Sequence, residues 1–258
     1  MAAVSAQPRP DRERGVFETL LVVNGRPVQL DAHLARLHSS LEALFPDRTP
    51  PAELTGAIDM HARNVALGGL RITAVPAADG EIDATIGPAE IDPGRILPSQ
   101  PPAVDAHSLV LRGGLGGHKW ADRAILDQAQ GRLGADAVPV IFDWDGTLLE
   151  ASRSNAFAVA GRTLLTPPAD GRILPGIARA CALEIAAAAG YETRETELCR
   201  EDLAAADEVF LTGSLRGVER VRTLDGARLK SEGEVTARVA AGLRRAWTRG
   251  GLDRVPRR

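Results

Sequence analysis

Apolar and polar positions alternate along the chain in short blocks that predict strands and amphipathic helices in turn. GVFETLLVVNGRPVQL (residues 15–30) has two apolar runs joined by Asn24-Gly25, the signature of a two-strand hairpin. Asp31 is the predicted N-cap of a helix over DAHLARLHSSLEALF, where Leu34, Leu37, Leu41 and Leu44 recur at helical spacing. Pro46, Pro50 and Pro51 stop it. A second helix is predicted over PAELTGAIDMHARNVAL, ended by Gly68-Gly69, and then strand, turn, strand over LRITAVPAADGEIDATIG. Residues 1–14 read as a flexible lead-in, and the proline-rich residues 92–106 as a linker.

Beyond the prolines, SLVLRGGLGGHKWADRAILDQAQGRLG predicts a strand, a glycine-rich loop and a helix beginning near Lys119. AVPVIFDWDGTLLEASRSNAFAVAGRTLLTPP predicts strands with turns at Asp145-Gly146 and Gly161. A helix follows Pro175-Gly176 and ends at Gly190. YETRETEL (strand), REDLAAAD (short helix), EVFLTGSL (strand) and EGEVTARVAAGLRRAWTRGG (amphipathic helix) complete the order. Strands, helices and strands in this succession predict an α+β chain. Its expected parts are a small N-terminal domain over 1–97, a linker over 98–106 and a larger C-terminal domain over 107–258.

Composition narrows the function. The 258 residues can bury a full core without staples. A formal charge of -3 argues against a general nucleic-acid binder, and the arginines of the last fifteen residues read as a solvated helix face and a frayed end. No apolar run is long enough to cross a bilayer, and the N-terminal residues lack a signal-type apolar core. Cys181 and Cys199 form no disulfide or metal framework, so a cytoplasmic protein is expected. Of 31 basic residues only Lys119 and Lys230 are lysines, so chemistry that needs an amine has two candidates. Lys230 lies in the polar stretch DGARLKSEGE and reads as solvated. Lys119 follows the glycine-rich loop, which permits close approach to a ligand, and a surface cation at a helix start would oppose the helix dipole.

VIFDWDGTLLE resembles the opening motif of the haloacid-dehalogenase phosphohydrolases. Asp143 would be the nucleophile, Asp145 the acid/base, and Thr212 in EVFLTGS a phosphate contact, with Mg²⁺ between. The motif lies late in the chain, and Asp225 stands without the second carboxylate that a Mg²⁺ site needs. Asp-Gly between two apolar runs is also an ordinary hairpin turn, which is the preferred reading.

A larger pattern absorbs the same stretch. GVFETL, HLARL, HKWADR, GTLLEASRSNAF, TPPADGRILPGIAR and ADEVFLTGSLRGVERVRTLDG occur in this order over residues 15–226. Together they resemble the fold-type IV pyridoxal-phosphate enzymes, the class IV aminotransferase-like family. That family includes aminodeoxychorismate lyases, branched-chain aminotransferases and D-amino-acid aminotransferases. The resemblance implies a two-domain fold of the D-amino-acid aminotransferase kind, with pyridoxal 5'-phosphate as cofactor and no metal. It implies Lys119 as Schiff-base lysine and proton acceptor, Glu150 at the pyridine nitrogen, and Asn155 in support. It assigns the phosphate to Arg36, to the amides of Ile177 and Ala178, and to the Ser214 hydroxyl. The chemistry suits these types: orphan amides and the dipole of a helix start attract an anion, and a guanidinium contacts phosphate bidentately. Many relatives carry Thr or Ser where Ala178 stands, so one hydroxyl contact is lost while the amide remains.

DRERGVFET stands where relatives begin with a further strand and Gly-Asp-Gly, so a smaller N-terminal sheet is expected. Relatives are homodimers with sites near the subunit interface, which implies a homodimer acting on a small molecule. Within the family, GGLGGHKWADR, ILPGIAR and VFLTGSLRGVE are similar to aminodeoxychorismate lyase, which converts 4-amino-4-deoxychorismate to 4-aminobenzoate and pyruvate. A branched-chain or D-amino-acid aminotransferase is the alternative. Such transaminase pockets use several tyrosines, and this chain has one, Tyr191, placed after a helix end.

Overall fold

A computed structural model describes residues 9–49, 51–230 and 233–248. In the N-terminal part, β1 (Val16–Val23), β2 (Arg26–Pro27), β3 (Leu67–Pro76) and β4 (Ile82–Pro88) form an antiparallel sheet of order β2-β1-β3-β4. Helices α1 (Leu30–Leu44) and α2 (Leu54–Ala62) cover it. Strand β1 is buried on both faces, and its period of two sorts its residues. Val16, Leu20 and Val22 pack with Leu34, Leu37 and Leu41 of α1 and Ile58 of α2. Leu21 and Val23 turn the other way, into the core of the second sheet beside Phe157 and Phe210. One strand therefore ties the two cores together.

The remainder comprises β5 (Ala103–Val110), α3 (Ala124–Gln130), β6 (Ala137–Phe142), β7 (Leu148–Ala151), β8 (Asn155–Ala160) and β9 (Thr163–Thr166), then α4 (Ile177–Ala188), β10 (Glu192–Glu195), α5 (Arg200–Ala205), β11 (Glu208–Gly213), β12 (Gly217–Leu224), β13 (Ala227–Arg228) and α6 (Glu234–Thr248). The sheet runs β10-β9-β8-β11-β12-β5-β6-β7, with β13 added to β12. The fold is α+β, as the order of elements predicts. Helix α6 lays Val235, Val239, Leu243 and Trp247 on the core shared with α4, and Gly242 lets it approach Ile185 closely.

Several local expectations change. Asp31 lies in the first turn of α1, and the N-cap is Gln29 in the left-handed region. Helix α2 ends at Ala62; Gly68 and Gly69 are in β3, opposite Val22 and Leu21. A Cβ on Gly69 would stand 2.9 Å from the Cβ of Ala89, so pairing and close contact, rather than helix capping, explain this glycine. Strand β12 has no counterpart in the sequence reading. Strand β5 starts within the segment read as linker, and Ile96 and Leu97 just before it are buried in the C-terminal core.

The lead-in is anchored over its described residues. Arg9 donates to the carbonyls of Gly114 (2.7 Å) and Arg112 (3.0 Å), and the Asp11 amide donates to Asp122. Residues 1–8 lie outside the described residues. Among the described residues no strand precedes β1; Arg12–Arg14 form a single 3-10 turn. Gly15 follows at φ 74°, where a Cβ would meet the carbonyl oxygen of Ala74 at 2.0 Å, so only glycine fits. At the other end Arg244 is not simply solvated, since it donates to the Leu97 carbonyl at 2.6 Å. Arg249, Arg254, Arg257 and Arg258 lie outside the described residues.

Candidate active site

A cleft of about 570 Å³ opens between the two sheets. Its walls come from β1, α1 and β3 on one side, and on the other from the loop after β5, the β7–β8 turn, the start of α4 and the β11–β12 turn. Every site residue implied by the fold-type IV resemblance lines it: Arg36, Lys119, Glu150, Asn155, Ile177, Ala178 and Ser214. Lys230 is elsewhere, exposed and paired with Asp207 at 3.5 Å.

Lys119 is not at a helix start. Helix α3 begins only at Ala124, and Lys119 lies in an extended strap against β1. The Phe17 amide donates to the Lys119 carbonyl at 2.8 Å, and the Ala121 amide to the Gly15 carbonyl at 3.0 Å. The strap holds Nζ 4.7 Å from the centre of the Phe17 ring. Burial pulls the Lys119 amine down to about 8, against attraction from the Glu18 carboxylate. Its neighbour His118 is tied to α1 through Ser40, with Nδ1 and Oγ 3.0 Å apart.

Arg36 is oriented by residues the sequence reading left without a role. Its Nε and Nη2 donate to the two carboxylate oxygens of Glu18 at 2.7 and 2.8 Å, and Nη1 donates to the Pro175 carbonyl at 2.9 Å. Glu18 shares its face of β1 with Val16 and Leu20, toward α1, where His33 Nδ1 also lies 2.7 Å from it. Glu18 and His33 are buried. Burial opposes the charge on Glu18, yet the hydrogen bonds from His33 and Arg36 outweigh it and hold the carboxyl down at about 2. His33 is lowered, because burial and the Arg36 charge outweigh the pull of Glu18; its neutral Nδ1–H donates to the carboxylate.

Glu150 lies in β7, one residue from its end, buried, and accepts the Leu174 amide at 3.2 Å. Desolvation pushes it up to about 8. Asn155 opens β8 and bridges Glu150 to the approach of α4, donating to the Leu174 carbonyl at 3.0 Å. Next to it, α4 begins at Ile177 with Gly176 as N-cap and no side-chain cap, so its first amides are free for a ligand. A Cβ on Gly176 would stand 1.9 Å from Asn155 Oδ1, so the backbone passes close over that side chain. Thr212, on the cleft wall, has a buried hydroxyl without a partner among the described residues.

The Asp-x-Asp stretch is a turn. Asp143 Oδ1 accepts the amides of Gly113 (2.9 Å) and Trp144 (2.7 Å), Asp145 Oδ1 accepts that of Thr147 (3.0 Å), and neither aspartate lines the cleft. Among the described residues no group of acidic, histidine or cysteine side chains could hold a metal. No helix of the described residues is long and apolar enough to cross a membrane.

The arrangement fits a phosphorylated pyridine aldehyde. Uncapped helix amides and a fixed guanidinium converge on one point through Pro175, and an amine and a buried carboxyl share the same cleft. A family model described as amino-transferase class IV matches residues 15–224. The chain belongs to the class IV aminotransferase family. Pyridoxal 5'-phosphate is accordingly its cofactor. The branched-chain-amino-acid aminotransferase of Escherichia coli K12 is 37% identical over 102 residues, 39% of this chain and 33% of that relative. The match thus spans about a third of the length of such curated relatives. A hypothetical aminotransferase from Mycobacterium tuberculosis in its PLP-bound form superposes with a TM-score of 0.80 at 25% identity, covering 95% of each chain. The 4-amino-4-deoxychorismate lyase of Pseudomonas aeruginosa does so with 0.77 at 25%, covering 94% of this chain and 95% of that one.

Proposed function

We propose that this class IV enzyme is a lyase that converts 4-amino-4-deoxychorismate to 4-aminobenzoate and pyruvate. The observation that carries the reading is the lining of the cleft: Arg71, Arg123, Arg153 and Arg216 face it besides Arg36, and no tyrosine does. Tyr191 is buried in the core against α4 and α6 instead, under the guanidinium of Arg162. A cyclic dianion with two carboxylates suits such a wall. A branched aliphatic side chain would desolvate guanidinium groups without compensation.

In this reading Lys119 holds the cofactor and, once released, takes the proton from the ring carbon that bears nitrogen. A pKa near 8 makes the neutral amine far more abundant at neutral pH than for a solvated lysine. Bound pyridoxal phosphate supplies an electron sink. Glu150 holds a proton at its ring nitrogen, and the cation there brings the buried carboxyl back to its ionised form. Asn155 steadies Glu150. Arg36, the amides of Ile177 and Ala178 and the Ser214 hydroxyl hold the phosphate; Ala178 offers no hydroxyl. Loss of the enolpyruvyl side chain makes the substrate ring aromatic, which drives the step. The homodimer usual in the family is part of the proposal, and the mass in solution checks it.

The second reading, an amino-acid transaminase, is favoured by the name of the Escherichia coli relative. The two separate in one assay. Purified holoenzyme receives aminodeoxychorismate, and in parallel leucine or D-alanine with a keto acid. Release of 4-aminobenzoate and pyruvate in equal amounts supports the lyase. Amino transfer without 4-aminobenzoate overturns it.

A further inference from the structure

The strap that bears Lys119 follows a stretch with little stiffness of its own. Gly113, Gly114, Gly116 and Gly117 precede the lysine, and the first three have positive φ. Glycines lose more backbone freedom on ordering than other residues, so this stretch by itself would leave Lys119 on a loose tether. Other parts of the chain hold it. The Gly113 amide donates to Asp143 at 2.9 Å, and the Gly116 amide to the Arg172 carbonyl at 3.3 Å.

Residues 9–14 grip the same stretch at both ends. At its start the single guanidinium of Arg9 donates to two carbonyls, Nη1 to Gly114 at 2.7 Å and Nη2 to Arg112 at 3.0 Å. At its far end Asp122 accepts from the Asp11 amide at 2.8 Å, the Ala124 amide at 3.1 Å and Arg14 Nη1 at 3.3 Å. Donation from the Asp11 and Ala124 amides holds the Asp122 carboxyl below its ordinary range, so this acceptor stays charged. Between the two grips the chain makes the 3-10 turn Arg12–Arg14, capped by the Asp11 side chain. Lys119 lies between them in sequence, as do Leu115 and His118 of the cleft wall.

We propose that residues 9–14 form a clasp that positions Lys119, with Arg9 and Asp122 as its positioning residues. Neither is placed at the reacting atoms. Both act through the backbone that bears the lysine, where a loosely supported group would lose its geometry. DRERG, which stands where relatives have a further strand, thereby has a task. Because it acts on Lys119, the clasp rests on the reading of that lysine as the cofactor's.

The test compares wild type with Arg9→Ala, Arg9→Lys, Asp122→Ala and Arg12→Ala. Arg12 is the control within the same segment, since its guanidinium lies over the Phe45 ring at 4.9 Å and not on the strap. Amide hydrogen exchange is followed by mass spectrometry in the cofactor-free protein. In the loaded protein, the decay of the lysine-linked visible band in hydroxylamine is followed. Loss of the Arg9 or Asp122 contacts predicts exchange over residues 113–121 and band decay each faster by about tenfold. Arg9→Lys recovers part of the loss, and Arg12→Ala behaves as wild type. The clasp is refuted if Arg9→Ala leaves exchange over 113–121 unchanged. It is refuted equally if exchange rises as much in β8 and β11, which marks general destabilisation, or if Arg12→Ala matches Arg9→Ala. A visible band that survives in Lys119→Ala overturns the cofactor reading instead, and is told apart because the exchange measurement needs no cofactor.

Discussion

The carboxylate of Glu18 grips the guanidinium of Arg36 through two hydrogen bonds, at 2.7 and 2.8 Å, from inside the N-terminal core. Arg36 is thereby aimed at the start of α4 before any ligand arrives, and less ordering is left to binding. In Glu18→Gln one of the two contacts is lost, because an amide NH2 cannot accept, the other keeps only a neutral acceptor, and Arg36 loses its counter-charge. Pyridoxal phosphate should dissociate about tenfold more readily, and the fold should lose on the order of 3 kcal/mol, since breaking a buried pair strands its partner. Equilibrium dialysis of the cofactor and urea unfolding measure the two effects.

Acid stability follows from the same cluster. The unfolded chain protonates His33 near the ordinary imidazole value of 6.5, whereas the folded one resists. More protons are then bound by the unfolded state, and stability falls as pH drops below that value. Glu18, held at about 2 against the ordinary 4.5, contributes stability above 4.5 that is lost as pH falls toward 2. Urea midpoints should therefore decline in two stages on acidification. His33→Gln should flatten the first stage and leave the second; an unchanged first stage would assign it to other groups.

Lys119 should capture its cofactor with a pH dependence that betrays its burial. The reactive form is the neutral amine, so the rate of reconstitution of the cofactor-free protein should rise with pH around a midpoint near 8, well below the 10.5 of a free lysine. Stopped-flow absorbance reads this rate. Lys119→Ala should bind pyridoxal phosphate through its phosphate contacts yet show no lysine-linked visible band.

Glu150→Gln should retain cofactor, because the phosphate contacts lie elsewhere in the cleft. Turnover should fall about a hundredfold or more, since a neutral amide cannot hold a proton at the ring nitrogen. Retention together with the lost rate separates this role from mere folding.

Gly176→Ala places a methyl group 1.9 Å from Asn155 Oδ1, so one of the two must move. Asn155 would leave Glu150 and Leu174, and the first turn of α4 would shift. A cost of about 1–3 kcal/mol and weaker cofactor binding are expected, by thermal unfolding and titration.

The residues proposed for the chemistry were legible in the chain because each is a scarce type in a marked local setting: an amine after glycines, a glutamate near a strand end, a Pro-Gly before an apolar helix. The same holds for α4, whose start and end carry their own signals. Glu18 was not legible, since a glutamate in VFETLLVV reads as the polar position of a strand. Only the arrival of α1 over that face turns it into a buried partner of Arg36. Strand β12 was missed because RGVERVRTL alternates charged and apolar residues weakly, and its pairing with β11 and β5 decides it.

Local signals thus determined most of the elements, the turn at Asp145-Gly146 and which lysine could do chemistry. Which residues support that lysine depended on contacts between β1 and segments a hundred residues later, such as the Phe17 amide on the Lys119 carbonyl. A strand's period tells which side chains share a face, but not what covers the face. That is decided by packing, and packing made Lys119 part of an extended strap rather than a helix start, and brought Arg153 to the cleft wall beside Gln130.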